Sequence, residues 1–180
     1  FDTGVFEELL IKSNFDFSDV QKNLAFLKGY KTEGNISSQD IAEAIPKSLQ
    51  DNIFDMTQLL LRGQIQSVRE LVHDLRLQGE DEIKLIAVML GQFRTYLQVK
   101  LLSAQGKSEQ QIVSSLSDYL SRKVNPFQVR YAIRDSRHLS VAFLKTTIKT
   151  LVETDYQIKT GTLDKDYLLD LALLKIASNS

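Results

Sequence analysis

The chain contains no cysteine, which excludes disulfides and thiolate metal sites and leaves a reducing compartment compatible with the sequence. Histidine is nearly as scarce: His73 and His138 lie far apart, and neither has neighbours at metal-ligand spacing. Only 2 prolines and 8 glycines occur in 180 residues, so regular structure is seldom interrupted. A convincing alternating strand is also missing, which excludes a sheet protein. The longest apolar run, Ile83 to Leu102, has the length of a membrane span, but Gln92, Arg94, Gln98 and Lys100 interrupt it, and it reads as a buried helix. No signal peptide is visible and no membrane partner is expected. The chain begins with Phe1, inside what already reads as ordinary sequence, which predicts a piece of a longer protein.

What is present is helical periodicity. Apolar residues make up 43% of the chain, ample for a packed core, and nearly every segment repeats them at 3.6 residues. The expected class is all-α. Phe6, Leu9 and Leu10 start a short helix, and Asn14 to Ser18 punctuate it. Ser18 with Gln21 reads as a capping box opening a second helix on Val20, Leu24 and Leu27, and Ser37 with Asp40 caps a third carrying Ile41, Ala44 and Ile45. Pro46 marks the expected domain boundary, giving units 1–46 and 47–180. Beyond it the helices lengthen into a bundle of about six or seven. Ile53 to Leu60 form one face ended by Gly63, and Ile65 to Leu75 another ended by Gly79. In the central helix Ile83, Ile86, Leu90, Phe93 and Leu97 share a face, with Leu85, Met89 and Tyr96 beside it. Pro126 opens a helix predicted to reach His138, and Gly161 separates the last two, about Ser140 to Lys159 and Asp164 to Ala177.

Gly106-Lys107-Ser108 has the form of the end of a phosphate-binding loop. Such a loop needs a glycine where this chain has Leu101, a preceding strand and a following helix. The residues before Gly106 read as helix, so Gly106 is expected to end one helix in a left-handed conformation and Ser108, with Gln111, to cap the next. Asp135, Ser136 and His138 are close in sequence, but neighbours on a helix point in different directions, which disfavours a triad. Glu80, Asp81 and Glu82 sit at a helix start, where first-turn acidity suffices as explanation, and Asp164, Asp166 and Asp170 lie near the last helix, where it explains most of the acidity. The second group lacks the loop glycine and terminal glutamate of a calcium loop. No catalytic set and no cofactor are expected.

Charge is uneven. Residues 121–150 carry 7 basic and 1 acidic side chains, although the whole chain is nearly neutral at −1. Arg130, Arg134 and Arg137 follow at i, i+4 and i+7, which on a continuous helix projects all three from one side. With Arg122, Lys123, Lys145 and Lys149 nearby and only Asp135 opposing, the row suits several phosphates; it equally suits a solvated face or an acidic partner.

Three stretches resemble a known family. NIFDMTQLLLRGQIQSVRELVHDLRLQGED, LIAVMLGQFRTYLQVKLLSAQGKSEQQIV and LVETDYQIKTGTLDKDYLLDLALLKI occur in the order of the C-terminal half of the delta subunit of the bacterial DNA polymerase III clamp loader. The segment from Asp155 to Gly161, D-x-x-I-K-T-G, is the most specific, supported by the start at Phe54-Asp55 and by Gln92-Phe93-Arg94. The resemblance implies a small helical lid over 1–46 and a collar over 47–180. It implies a non-catalytic, cytoplasmic, nucleoid-associated subunit that assembles with delta-prime and tau/gamma and reaches the sliding clamp only through an N-terminal domain lying outside these residues. In some members of that family the tyrosine matching Tyr156 lies near primed DNA, which implies a ring that stacks on a base without reading sequence; a half-buried tyrosine with its hydroxyl at solvent is the alternative. Lys159, three positions on, is expected to face the same way. The alternative is a freestanding helical nucleic-acid-binding domain using the Arg130, Arg134 and Arg137 face. A small hydrolase, a third class, would need a pocket of perturbed titratable groups for which the sequence offers no candidate.

Overall fold

A computed structural model describes residues 1–13, 16–161 and 163–179. Among them all regular structure is helical, in ten helices, and the chain divides into two compact units, Phe1–Asn52 and Ile53–Ser180. The division falls a few residues beyond Pro46, within the helix Leu49–Leu61.

The first unit holds α1 (Val5–Lys12), α2 (Phe17–Tyr30) and α3 (Ser38–Ala44) around Val5, Leu9, Leu27, Ile41, Ala44 and Ile45. Its start signals are local. Ser37 and Asp40 form the expected capping box, and the Lys31 ammonium lies 2.7 Å from the Asp40 carboxylate. Hydrogen bonds from Lys31 and then Ser37 hold the Asp40 carboxyl down at about 2. α2 begins differently from the expectation at Ser18 and Gln21. Asp16 is the cap, its carboxylate accepting from the N–H groups of Ser18 and Asp19, so Ser18 lies within the first turn. Asn14 falls outside the described residues. At the other end of α3 the Lys12 ammonium donates to the Ile45 carbonyl at 2.8 Å, supplying a partner that the helix end lacks.

The second unit is built on α6 (Glu82–Ala104). Around it stand α4 (Leu49–Leu61), α5 (Ile65–Leu77), α7 (Glu109–Leu120), α8 (Pro126–Asp135), α9 (Val141–Lys159) and α10 (Lys165–Ala177). α9 lies along α6 in the most extensive helix pair of the fold, while α8 and α10 also touch α6 and α7 rests on α8. Lys100 near the end of α6 donates to the carbonyls of Ser136 and Arg137, just before α9, and Glu82 at its start meets Lys165, just after α9. α6 and α9 are therefore antiparallel.

Packing on several sides shifts the centre of the α6 seam. Leu85, Ile86, Met89, Phe93, Tyr96 and Val99 are buried, whereas Ile83 and Leu97, read from the sequence as part of the main face, are half-buried at its margin. The polar interruption at Gln92 is satisfied by one partner on α4 and one on α6 itself. Buried Thr57 on α4 donates to its Oε1 at 2.9 Å, and Gln92 Nε2 donates to the Tyr96 hydroxyl at 2.8 Å. Desolvation pushes the Tyr96 hydroxyl up to about 12. None of the helices in the described residues is long and apolar enough to cross a membrane.

Candidate nucleic-acid interface

Gly106-Lys107-Ser108 is a helix junction. Gly106 takes φ +76°, a conformation open at low cost only to glycine, and Ser108 with Gln111 forms the reciprocal capping box of α7. The Lys107 ammonium turns onto α7 and donates to the Ser115 hydroxyl at 2.8 Å. Lys107→Ala is accordingly expected to leave stability within about 1 kcal/mol. Millimolar ATP with Mg²⁺ should leave the melting temperature of both proteins unchanged, whereas a site at 100 times its Kd would add about 2.7 kcal/mol. A nucleotide-dependent shift in the parent chain that the variant loses would restore the phosphate-loop reading.

The arginine row does not form one helical face. α8 ends at Asp135, because the buried Ser136 hydroxyl donates to the Ala132 carbonyl and the Arg137 N–H to the Arg134 carbonyl in a tight turn. Arg137 therefore lies beyond the helix that carries Arg130 and Arg134. Both helical arginines are engaged within the protein. Arg130 reaches Glu109 on α7 at 3.0 Å and stands over the Phe127 ring, and Arg134 pairs with Asp135 at 2.8 Å and stands over Tyr131. Glu109 is thus a second acidic neighbour besides Asp135, invisible to a count confined to the basic segment. The Ser136 hydroxyl is committed to Ala132, so the trio Asp135, Ser136 and His138 is not arranged for nucleophilic catalysis.

Tyr156 and Lys159 lie together in the last turns of α9. Tyr156 is 69% exposed, and Lys159 pairs with Asp155 at 2.7 Å, one turn back on the same helix. Arg137 precedes the other end of α9, and the rise from Val141 to Tyr156 is about 22 Å at 1.5 Å per residue. Tyr156 and Lys159 consequently lie at one end of α9, and Arg137 lies at the other.

A further cluster at the Tyr156 end was not legible as such. Arg76 Nε on α5 lies 2.8 Å from Glu82 on α6, and Lys165 at the start of α10 reaches Glu82 at 2.9 Å and Asp81 at 2.7 Å. Asp166 and Asp170 approach Arg76 at 3.8 and 3.6 Å, while Asp164 caps α10. Burial alone would raise the Glu82 carboxyl, but hydrogen bonds from Lys165, its own backbone N–H, Arg76 and Asp166 outweigh it and hold the group down at about 2. These carboxylates face cations of the protein, and the cluster works as a clip joining three helices.

Comparison with known proteins places this geometry. The model of the family described as DNA polymerase III delta subunit, C-terminal domain, matches residues 50–176. The DNA polymerase III subunit delta of Bacillus subtilis (strain 168) is 34% identical over 160 residues, which cover 89% of this chain and 44% of that protein. The solved structure of the Bacillus subtilis DNA clamp loader delta protein superimposes with a TM-score of 0.85 at 31% identity, over 97% of this chain and 50% of its own. The chain spans about half the length of these relatives. With its second unit matched almost throughout by the family model and both relatives above 30% identity, the chain belongs to the DNA polymerase III delta subunit family, as a C-terminal part of it.

Proposed function

We propose that this chain is the assembly module of a clamp-loader delta subunit, non-catalytic in itself, with residues 1–46 as a lid-like unit and 47–180 as the collar. Its work is to join the delta-prime and tau/gamma subunits so that a sliding clamp is loaded onto primed DNA in the cytoplasm. Contact with the clamp belongs to the part of the subunit that these residues do not cover. The observation that carries the reading is the match of 97% of the chain to a clamp loader delta protein at a TM-score of 0.85. In the assembled complex Tyr156 and Lys159 face the DNA, and Arg130, Arg134 and Arg137 supply a second basic area at the far end of α9.

Size-exclusion chromatography of this chain with the collar regions of the matching delta-prime and tau/gamma subunits tests the reading. Co-elution as one complex is expected. Elution alone under all conditions, together with tight and steeply salt-dependent binding of primed DNA by the isolated chain, would replace it with a freestanding DNA-binding domain.

A further inference from the structure

The clamp-loader reading turns Tyr156 and Lys159 toward the DNA and leaves open which side chains along the rest of α9 would meet a strand. We infer that the solvent face of α9 continues from Tyr156 as a track for one phosphodiester strand, with Lys145 and Lys149 on its phosphates. The inference rests on the clamp-loader reading and extends it to two lysines.

α9 divides cleanly into two faces. Phe143, Leu144, Thr147, Leu151 and Thr154 are buried, while Lys145, Lys149, Val152 and Tyr156 are exposed. Their spacing of four, three and four residues keeps them within an arc of about 60° at 100° per residue. From Lys145 to Tyr156 the helix rises about 17 Å, and successive phosphates of one B-form strand, rising about 3.4 Å along the axis, stand about 6.5 Å apart, so the stripe matches about three phosphates. The two lysines, about 6 Å apart, suit neighbouring phosphates. Arg137 lies in the turn leading into the same end of α9 as Lys145.

The chemistry favours a strand over a protein helix. A docked helix needs apolar anchors at i, i+3, i+4 and i+7, and this stripe offers only Val152 between its cations and its ring. Among the described residues Lys145 has no acidic partner within ion-pair distance. Lys149 has Glu153 at 3.7 Å, with side chains 76% and 61% exposed, a long and solvated pair that a phosphate can displace. Tyr156 presents its ring to solvent, where any base can stack on it.

The test uses the reconstituted clamp loader containing full-length delta, with affinity for a fluorescent primed DNA measured across a salt series. Lys145→Glu with Lys149→Glu is expected to weaken binding about tenfold or more and to lower the salt slope by about two phosphate contacts. The milder pair Lys145→Gln with Lys149→Gln should do the same to a smaller extent. Tyr156→Ala should weaken binding about tenfold with the slope retained, and Tyr156→Phe should restore it. Glu153→Gln should tighten binding about twofold by releasing Lys149, a gain that a merely structural residue would not give. Normal assembly with unchanged affinity and slope in both lysine pairs would overturn the track and leave the clamp-loader reading standing. Loss of assembly in these variants would assign the face to a subunit contact and also overturn it. Failure of the unaltered chain to assemble would instead sink the clamp-loader reading, and the track with it.

Discussion

Phe93→Ala is expected to destabilise the second unit by about 3–5 kcal/mol. Phe93 lies in the middle of α6 and is fully buried, with its ring edge-to-face with Tyr96 at 6.0 Å and with Phe143 of α9 at 6.5 Å. Truncation removes apolar contact on α6 and on its principal neighbour together, and each lost ring pair adds about 0.5–1.5 kcal/mol beyond area burial. Alanine is the better helix former by about 0.5 kcal/mol, too little to offset the cavity. In a unit of this size the change corresponds to a melting temperature lower by about 10–15 °C. Calorimetry on the whole chain provides an internal control, because Phe93 lies in the second unit and melting of the first should stay in place. A fall below about 1 kcal/mol would show that α6 is not the central packing element.

The reason α6 could be recognised as central is that its signal is local. Apolar residues around much of a helix require neighbours on several sides, whatever those neighbours are. The junctions at Gly106-Ser108 and at Gly161 were legible for the same kind of reason: a positive φ and a capping serine are properties of a few consecutive residues. Where two local signals competed, the reading from sequence took the wrong one. Asp16 and Ser18 both suit the start of α2, and the carboxylate, which reaches two N–H groups, takes it. α8 reads as helix through His138, yet the Ser136 hydroxyl bonds back to Ala132 and a tight turn moves Arg137 off the arginine face.

Pairing was the illegible part of the candidate site, because it is nonlocal. Glu109 stands 21 residues before Arg130, and Lys165 stands 84 residues after Asp81. Nothing in either neighbourhood announces the partner. Glu82 has the sequence signature of a first-turn acid, and it became the buried centre of a three-helix clip only once α5 and α10 were folded against it. The family could be read without such contacts. Its most specific segment, Asp155 to Gly161, is one continuous stretch that includes the Asp155–Lys159 pair within a single helical turn.

The clip gives the second large effect, and it carries a pH signature. Glu82→Gln keeps the side-chain shape and removes the charge, leaving Arg76 and Lys165 facing a neutral amide. Removing one member of a buried pair costs about 3–5 kcal/mol when nothing else compensates. Arg76 retains Asp166 and Asp170, and Lys165 retains Asp81, so the expected loss at pH 7 is about 2–3 kcal/mol. The exposed Lys149–Glu153 pair sets the contrast, since Glu153→Gln should change stability by less than about 0.5 kcal/mol. The folded-state value of Glu82 lies at about 2, below its ordinary value of 4.5. Its contribution is therefore complete above the ordinary value and is lost as pH falls toward 2. Asp166 acts in the opposite sense. Its hydrogen bond to Glu82 and then burial raise it, so its protonation favours the folded state as pH falls and softens the loss. Urea unfolding of both proteins between pH 7 and pH 2 should show a gap that is widest at neutral pH and narrows below about pH 4.5. A gap that stays constant across this range would assign the role of Glu82 to packing and not to its charge.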